Sequence, residues 1–367
     1  MDFLIPLFAR EGSISGQRGL TSPLFTNAKY IIAMHIKNLK RTIYLSAACL
    51  VGMITSGCDM VYDDLAPCPS KLRVRFVYDY NLKWADAFSH EVTSVNIWAF
   101  DSAGKPVWSG AADGEQLAEG DFYIDTPLEE GEYDFVAWGG LKGNDQFDLA
   151  TYTPASKEEL EVKMKTIQSD GENVSDSRLS PLFHASMSNV KYEADHTKPT
   201  VKTVTASLMK DTKDIRVMLQ NLDGSELDES DFSVTITDAN SRYAWNNSLL
   251  SSPMVTYRPW NVRYGEVETR SITALLFELS TGRLMENADA ILTIHRNWDN
   301  RDIVRIPLVK YLLMVKGHYG DISDQEYLDR QDDYSLIFFL DPNSNWDMGV
   351  NIYINGWAVV PPQDEDI

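Results

Sequence analysis

From Leu72 to Tyr80 the apolar residues Leu72, Val74, Phe76, Tyr78 and Tyr80 alternate with Arg73, Arg75 and Asp79. A period of two lines one face of an extended chain, whereas on a helix the same residues would wind around the axis. The run therefore predicts a half-buried strand. Similar runs recur at 95–100, 133–138, 215–219, 232–237, 272–279, 290–295, 303–309, 334–340 and 350–357. Turn signals separate many of them, among them Asp101-Ser102-Ala103-Gly104, Glu130-Gly131, Asp223-Gly224, Thr281-Gly282 and Asp341-Pro342-Asn343. Short strands with polar turns and little 3.6-residue periodicity predict an all-β chain built of antiparallel sandwiches. At 44% hydrophobic and 11% aromatic residues there is enough apolar surface for such cores, which excludes wholesale disorder. Helices are few: Ser156-x-x-Glu159 and Ser323-x-x-Glu326 read as capping boxes for helices at 156–168 and 323–331. The stretch 169–200 is polar and aperiodic, and an interdomain connection is expected near residue 198.

The N-terminal region carries an address. Lys37, Lys40 and Arg41 precede the uncharged run Thr42 to Gly57, which is short of the roughly twenty residues a membrane span needs. A basic start, an apolar middle and small residues at the end fit a secretory signal. The run closes on Ile54-Thr55-Ser56-Gly57-Cys58, which resembles the lipobox of bacterial lipoproteins, with Thr55 where leucine is usual. That likeness implies cleavage between Gly57 and Cys58 and acylation of Cys58 on its sulfur and its new amine. Cys49, preceded by Ser46, is a weaker alternative. A start at Met34 gives an ordinary signal over 34–57 within a leader of residues 1–57. The leader holds six basic and two acidic residues, so its removal takes the net charge from −21 to −25. Cys68, in Ala66-Pro67-Cys68-Pro69, would be the one unmodified thiol, so no intramolecular disulfide is expected.

Charge and motif exclude most chemistry. A chain at −21 with no basic block longer than Lys40-Arg41 would be repelled by nucleic acid. His90-Glu91 opens like a zinc-protease helix, but Ser94 stands where the second histidine is required. Asp341, Asn343 and Asn345 match the start of a calcium loop, yet Trp346 replaces the turn glycine and Ile352 the bidentate glutamate. Phosphate loops, dinucleotide fingerprints and nucleophile elbows are absent from the sequence. No pair among the 54 acidic residues is marked as a glycosidase couple. The reading is non-enzymatic, without metal, cofactor or small-molecule substrate. The nine tryptophans could stack on sugars, but most lie in or beside strand runs, where core packing is the simpler role.

Several segments together resemble the lipid-anchored anchor and accessory subunits of type V fimbriae, the FimB-type family of Bacteroidota. They are Cys58-Asp59-Met60-Val61-Tyr62-Asp63-Asp64-Leu65 with Pro67-Cys68-Pro69, residues 72–81, 95–107, 130–139, 327–341 and 350–357. The resemblance implies two tandem transthyretin-like β-sandwich domains with a few short helices, over 71–198 and 199–367, behind a lipidated tether at 58–70. It implies a structural role at the base of a fimbrium, with fimbrial structural subunits and the outer membrane as partners. Asp63-Asp64 is similar to the export signal of surface lipoproteins, and Asp101-Ser102-Ala103 resembles an O-glycosylation sequon at Ser102. Polymers of this kind grow by strand addition. Here the last strand is expected to run to about Val360, where Pro361-Pro362 stops it, because proline cannot donate to a ladder. That suits a subunit that begins or ends a polymer. The alternative is a surface glycan-binding lipoprotein with exposed tryptophans as platforms.

Overall fold

The computed structural model describes residues 70–195, 197–266 and 273–360. Gly57, Cys58, Asp63 and Asp64 lie outside the described residues, as do Cys49 and Cys68. The protein is mostly strand. Five strands come first: β1 (Ser70–Val77), β2 (Ser94–Asp101), β3 (Pro106–Asp113), β4 (Tyr123–Thr126) and β5 (Gly131–Gly139), with the short helix α1 (Phe88–Glu91) between β1 and β2. An excursion then carries four short strands, β6 (Phe147–Leu149), β7 (Val162–Met164), β8 (Ile167–Ser169) and β9 (Glu172–Ser175). β10 (Phe183–Tyr192), β11 (Thr200–Ser207) and β12 (Met209–Lys210) complete the first sandwich, whose sheets are ordered β11-β1-β4 and β12-β10-β5-β2-β3.

The second sandwich begins with β13 (Lys213–Asn221) and β14 (Phe232–Asp238), followed by β15 (Arg242–Tyr243), β16 (Val255–Tyr257), β17 (Asn261–Glu266) and β18 (Thr273–Thr281). After β19 (Ile291–Arg296) and β20 (Arg301–Pro307) come the helices α2 (Leu308–Leu313) and α3 (Asp324–Arg330). β21 (Asp333–Leu340), β22 (Ile352–Ile354) and β23 (Trp357–Val359) close the chain. Its sheets are ordered β17-β18-β13-β21-β22-β23 and β20-β19-β14-β16-β9-β8, and β15, β7 and β6 form a small third one.

The two sandwiches share a topology. The order β11-β1-β4 corresponds to β21-β13-β18, and β10-β5-β2-β3 corresponds to β20-β19-β14-β16. In each, the first and last strands run parallel: β1 with β11 from Ser70↔Thr200 to Val77↔Ser207, and β13 with β21 from Asp214↔Asp333 to Asn221↔Leu340. The remaining core pairs are antiparallel.

Strand membership places the changeover between sandwiches after Lys210, beyond the expected connection near 198. The polar residues 193–199 carry the chain from β10 to β11, between the two sheets of one sandwich. A crossover of this kind is as polar as a linker, so composition alone does not separate the two.

Three local expectations are revised. Residues 156–168 hold only a single 3-10 turn at Lys157–Glu159 and then β7 and β8. Leu160, Val162 and Met164 all point into the core at a spacing of two, and their burial outweighs the capping-box signal of Ser156. Residues 350–357 form β22, an Asn355-Gly356 turn and the start of β23, rather than one strand. Asn355 (φ 50°) and Gly356 (φ 82°) both sit in the left-handed region, as a two-residue hairpin turn demands. The run 303–309 ends as strand at Pro307, and Leu308 and Val309 open α2. Ser323 does cap α3, its hydroxyl accepting the Glu326 N–H at 3.1 Å.

β2 and β5 are buried on both faces, which explains why their sequences are nearly continuous in apolar residues. One face (Val95, Ile97, Ala99, Phe135, Ala137) packs against Leu72, Val74 and Phe76 of β1. The other (Trp98, Phe100, Val136, Trp138) joins a larger core with Phe147, Val162 and Met164 of the excursion and the second sandwich. The excursion also lends β8 and β9 to a sheet of that second sandwich. Gly140 permits its departure: at φ 80° a Cβ there would meet the Pro181 carbonyl oxygen at 2.1 Å.

Candidate subunit interface and the joint behind it

Strand direction assigns each loop to an end of the molecule. The described chain starts at Ser70 beside Thr200, so any tether enters where β1 and β11 begin. The registers Leu72↔Thr126, Asp101↔Tyr133 and Gly131↔Tyr192 put the β2–β3 turn and residues 127–130 at that same end. Ser102 is exposed in that turn, where the Asp101 carboxylate accepts the Ala103 and Lys105 N–H groups. β1 and β11 run from this end toward the second sandwich, and β13 and β21 start at the joint and run on. The loops after Asn221 and Leu340 therefore lie at the strand ends remote from Ser70. They are tied together: Leu222 N–H donates to Leu340 O at 3.0 Å, and Arg296 reaches Asn343 O at 2.7 Å and Ser344 O at 3.0 Å. Trp298 projects here at 55% exposure, with the Arg296 guanidinium 4.7 Å from its ring centre.

The joint is polar and well bonded. Arg283 makes a two-pronged pair with Asp329, both contacts 2.8 Å, with the side chains only 11% and 6% exposed. Fully buried Lys213 donates to the carbonyls of Lys210 and Asp329. Lys210 pairs with Asp332 at 2.8 Å and Glu91 at 3.1 Å, which joins both sandwiches. Arg330 lies between Tyr80 and Trp84, 4.0 and 4.4 Å from the ring centres, and donates to Asp79 O. Buried Asp211 accepts Asn247 Nδ2 at 2.7 Å, and burial raises its carboxyl pKa. His184 packs edge-on against Trp138; burial pushes its pKa down to about 4, so the neutral ring donates Nε2–H to Trp245 O at 2.8 Å. None of this joint was legible in the sequence. The partners Lys213 and Asp329 are 116 residues apart, and each reads locally as the polar flank of an element.

Asp238, at the end of β14, gives a pH test of the packing. Burial pushes its carboxyl up to about 6 from 3.8, against a single N–H from Ala239. A carboxyl that holds its proton more tightly when folded stabilises fully at low pH and loses that contribution as pH rises through 6. The span corresponds to at most about 3 kcal/mol. Urea unfolding at pH 4 and pH 7 is expected to show a smaller loss of stability in Asp238→Asn than in the natural protein. Equal losses would show that this carboxyl carries no such term.

The sequence-derived sites separate. His90 is exposed in α1 while Glu91 pairs with Lys210 and Lys83, and the Ser94 hydroxyl accepts the Lys142 N–H. The Asp341 carboxylate accepts the Asn345 and Asn343 N–H groups at 2.9 and 2.8 Å, so the 341–345 turn is closed on itself. Among the described residues no cluster of three or more metal-ligating side chains occurs, and no helix is long and apolar enough to cross a membrane. Of the tryptophans, Trp98, Trp138 and Trp346 are buried. Trp84, Trp298 and Trp357 are exposed, on separate elements, and each has one face covered by Arg330, Arg296 or His318.

The described residues form a tandem pair of like sandwiches, joined through a buried ionic network and open at several sheet edges. The chain belongs to a family of fimbrial anchor proteins: residues 65–361 match the model "Fimbrillin-A associated anchor proteins Mfa1 and Mfa2". It is 22% identical over 314 residues to the minor fimbrium anchoring subunit Mfa2 of Porphyromonas gingivalis, covering 83% of this chain and 90% of that one. The solved structure of that fimbrial anchor protein superposes with TM-score 0.59 at 18% identity, over 80% of this chain and 99% of that one. A candidate adhesin of Bacteroides thetaiotaomicron is 32% identical with TM-score 0.70, over 81% of this chain and 99% of that one. A candidate polysaccharide-binding protein of the same organism is 30% identical with TM-score 0.68, over 80% and 99%.

Proposed function

We propose that this chain is the lipid-held base of a fimbrium: Cys58 carries the acyl chains, and fimbrial subunits join at the loops remote from the tether. The observation that carries this reading is strand direction. The tether enters at Ser70, beside the start of β11, and the loops after Asn221 and Leu340 lie at the strand ends that point away from the joint. Load would pass along β1, the joint and β13. Cleavage between Gly57 and Cys58, an outer-membrane location with Asp63-Asp64 directing surface exposure, and a glycan at Ser102 near the tether complete the proposal. Contacts between subunits would be by strand addition at free sheet edges. β23 has three residues and is followed in the sequence by Pro361-Pro362, so it offers no long strand to give onward.

The glycan-binding alternative draws on the name of one structural relative. The exposed tryptophans count against it, since each has a cation or imidazole over one face and no two share an element. To test the anchor reading, a bulky maleimide polymer is attached at Trp298→Cys or, as control, at Lys105→Cys, both in a Cys68→Ser background. Fimbriae are expected to detach from cells labelled at 298 and to remain on cells labelled at 105. Retention in both places the junction with the fimbrium elsewhere.

A further inference from the structure

Two neighbouring side chains at the joint each keep a buried oxygen without a donor. Asp211 follows β12, where the chain passes from one sandwich to the other, and is fully buried; Asn247, in the loop after β15, is 3% exposed. Asn247 Nδ2 donates to Asp211 Oδ1 at 2.7 Å. The other oxygens of the same two groups, Asp211 Oδ2 and Asn247 Oδ1, have no hydrogen-bond partner. Burying an unbonded acceptor is costly, and burying an unpaired carboxylate is costlier. The charged and titratable groups facing Asp211 are Lys213 of β13, Arg283 after β18, Asp329 of α3 and Tyr243 of β15. All are engaged elsewhere. Lys213 donates to the Lys210 and Asp329 carbonyls, and Arg283 donates to the Asp329 carboxylate and the Asn247 carbonyl. The Tyr243 hydroxyl accepts the Arg283 backbone N–H. Among the described residues no cation forms an ion pair with Asp211.

We propose that the joint holds one proton between Asp211 Oδ2 and Asn247 Oδ1, closing a two-bond acid–amide ring that fastens the changeover to the second sandwich. A carboxamide presents an N–H and a C=O, and a protonated carboxyl presents the complementary O–H and C=O. A single proton thus turns two orphaned acceptors into one hydrogen bond. The ring has fixed surroundings: the Asp211 N–H donates to Leu182 O at 2.8 Å, and Arg283 links Asn247 to Asp329. Burial favours the neutral acid and outweighs the pull of Arg283 and Lys213, while the Asp329 charge works with it, so the Asp211 carboxyl is pushed up to about 7. A carboxyl raised in this way stabilises the folded protein at low pH and loses that contribution as pH rises through its folded value. When the proton leaves to solvent, a carboxylate oxygen is left against the amide oxygen and the ring opens. The joint is therefore a pH-sensitive fastening, tight in mild acid and looser in alkali. The inference does not depend on the anchoring role.

The test uses the full chain carrying Asp238→Asn, because Asp238 is the other described aspartate whose carboxyl burial raises. Carbon-13 labelling of the aspartate carboxyls reports their protonation directly. At pH 6 ordinary aspartates, which titrate near about 3.9, are ionised, and one carboxyl is expected to remain in the acid form. Adding Asp211→Asn is expected to abolish that signal. The new amide donates an N–H where the acid donates its O–H, so the ring stays closed at every pH. Between pH 6 and pH 8 the D238N protein is therefore expected to lose about tenfold in its folding constant relative to D211N/D238N. Where the double variant does not fold, the D238N spectrum decides by itself. Complete ionisation of the aspartates at pH 6 overturns the proposal, and would mean that water serves the two oxygens. So does an acid-form signal that survives Asp211→Asn, or an equal pH dependence of folding in the two proteins.

Discussion

Replacing Arg283 by alanine is expected to destabilise the protein by about 3–5 kcal/mol, because it leaves the Asp329 carboxylate buried at the joint without its partner. Both groups have given up most of their hydration, and the two 2.8 Å contacts, with a third from Gln325 Nε2 at 3.0 Å, compensate Asp329 for that loss. Arg283 also donates to the Asn247 carbonyl, and Asn247 in turn bonds Asp211, so the vacancy spreads through the network. In thermal unfolding the variant is expected to melt roughly 10 °C lower. The apolar double variant R283M/D329L, which buries no unpaired charge, is expected to recover much of the loss, as such replacements often do. A cost below about 1 kcal/mol for Arg283→Ala would show that water reaches the pair and that it behaves like a surface bridge.

Replacing Cys58 by serine is expected to release the protein, and the fimbriae it holds, from the cell. Each buried methylene contributes about 0.8 kcal/mol, so one acyl chain binds reversibly while two or three hold almost permanently. At −25 once the leader is removed, the charge balance does not favour attraction to anionic lipid. Without the thioether the chain carries no acyl group to hold it and is expected in the medium. Radiolabelled palmitate incorporation and detergent phase partitioning are the measurements. Labelling retained in Cys58→Ser and lost in Cys49→Ser would move the anchor to Cys49. Labelling and membrane attachment retained in both would refute acylation as the tether.

Much of the β architecture was legible because alternation reports a local fact. In β1 and β13 the backbone itself puts successive side chains on opposite faces, so burial of one face writes a period of two into the sequence. The same rule, applied to Leu160, Val162 and Met164, would have found β7 in place of a helix. The Asn355-Gly356 turn was also available, since that dipeptide between apolar residues is a strong hairpin signal. The boundary was harder: residues 193–199 look like a linker, and only the pairing of Thr200–Ser207 along β1 shows them to be a crossover. The correspondence of the two sandwiches left no internal repeat to read, because shared strand order constrains which residues are buried far more loosely than which residues they are.

The sequence by itself determined the strand-rich fold class and the family likeness, and it carries the lipobox-like run ending at Cys58 on which the proposed anchor rests, since each of these is written in residues that are neighbours in the chain. Tertiary structure decided what depends on residues far apart. It placed Lys213 against Asp329 and Arg330 between Tyr80 and Trp84, and lent β8 and β9 to the second sandwich. The physical reason is that alternation and motifs are local. A joint between sandwiches is set by which polar groups find each other once the water between them has been expelled.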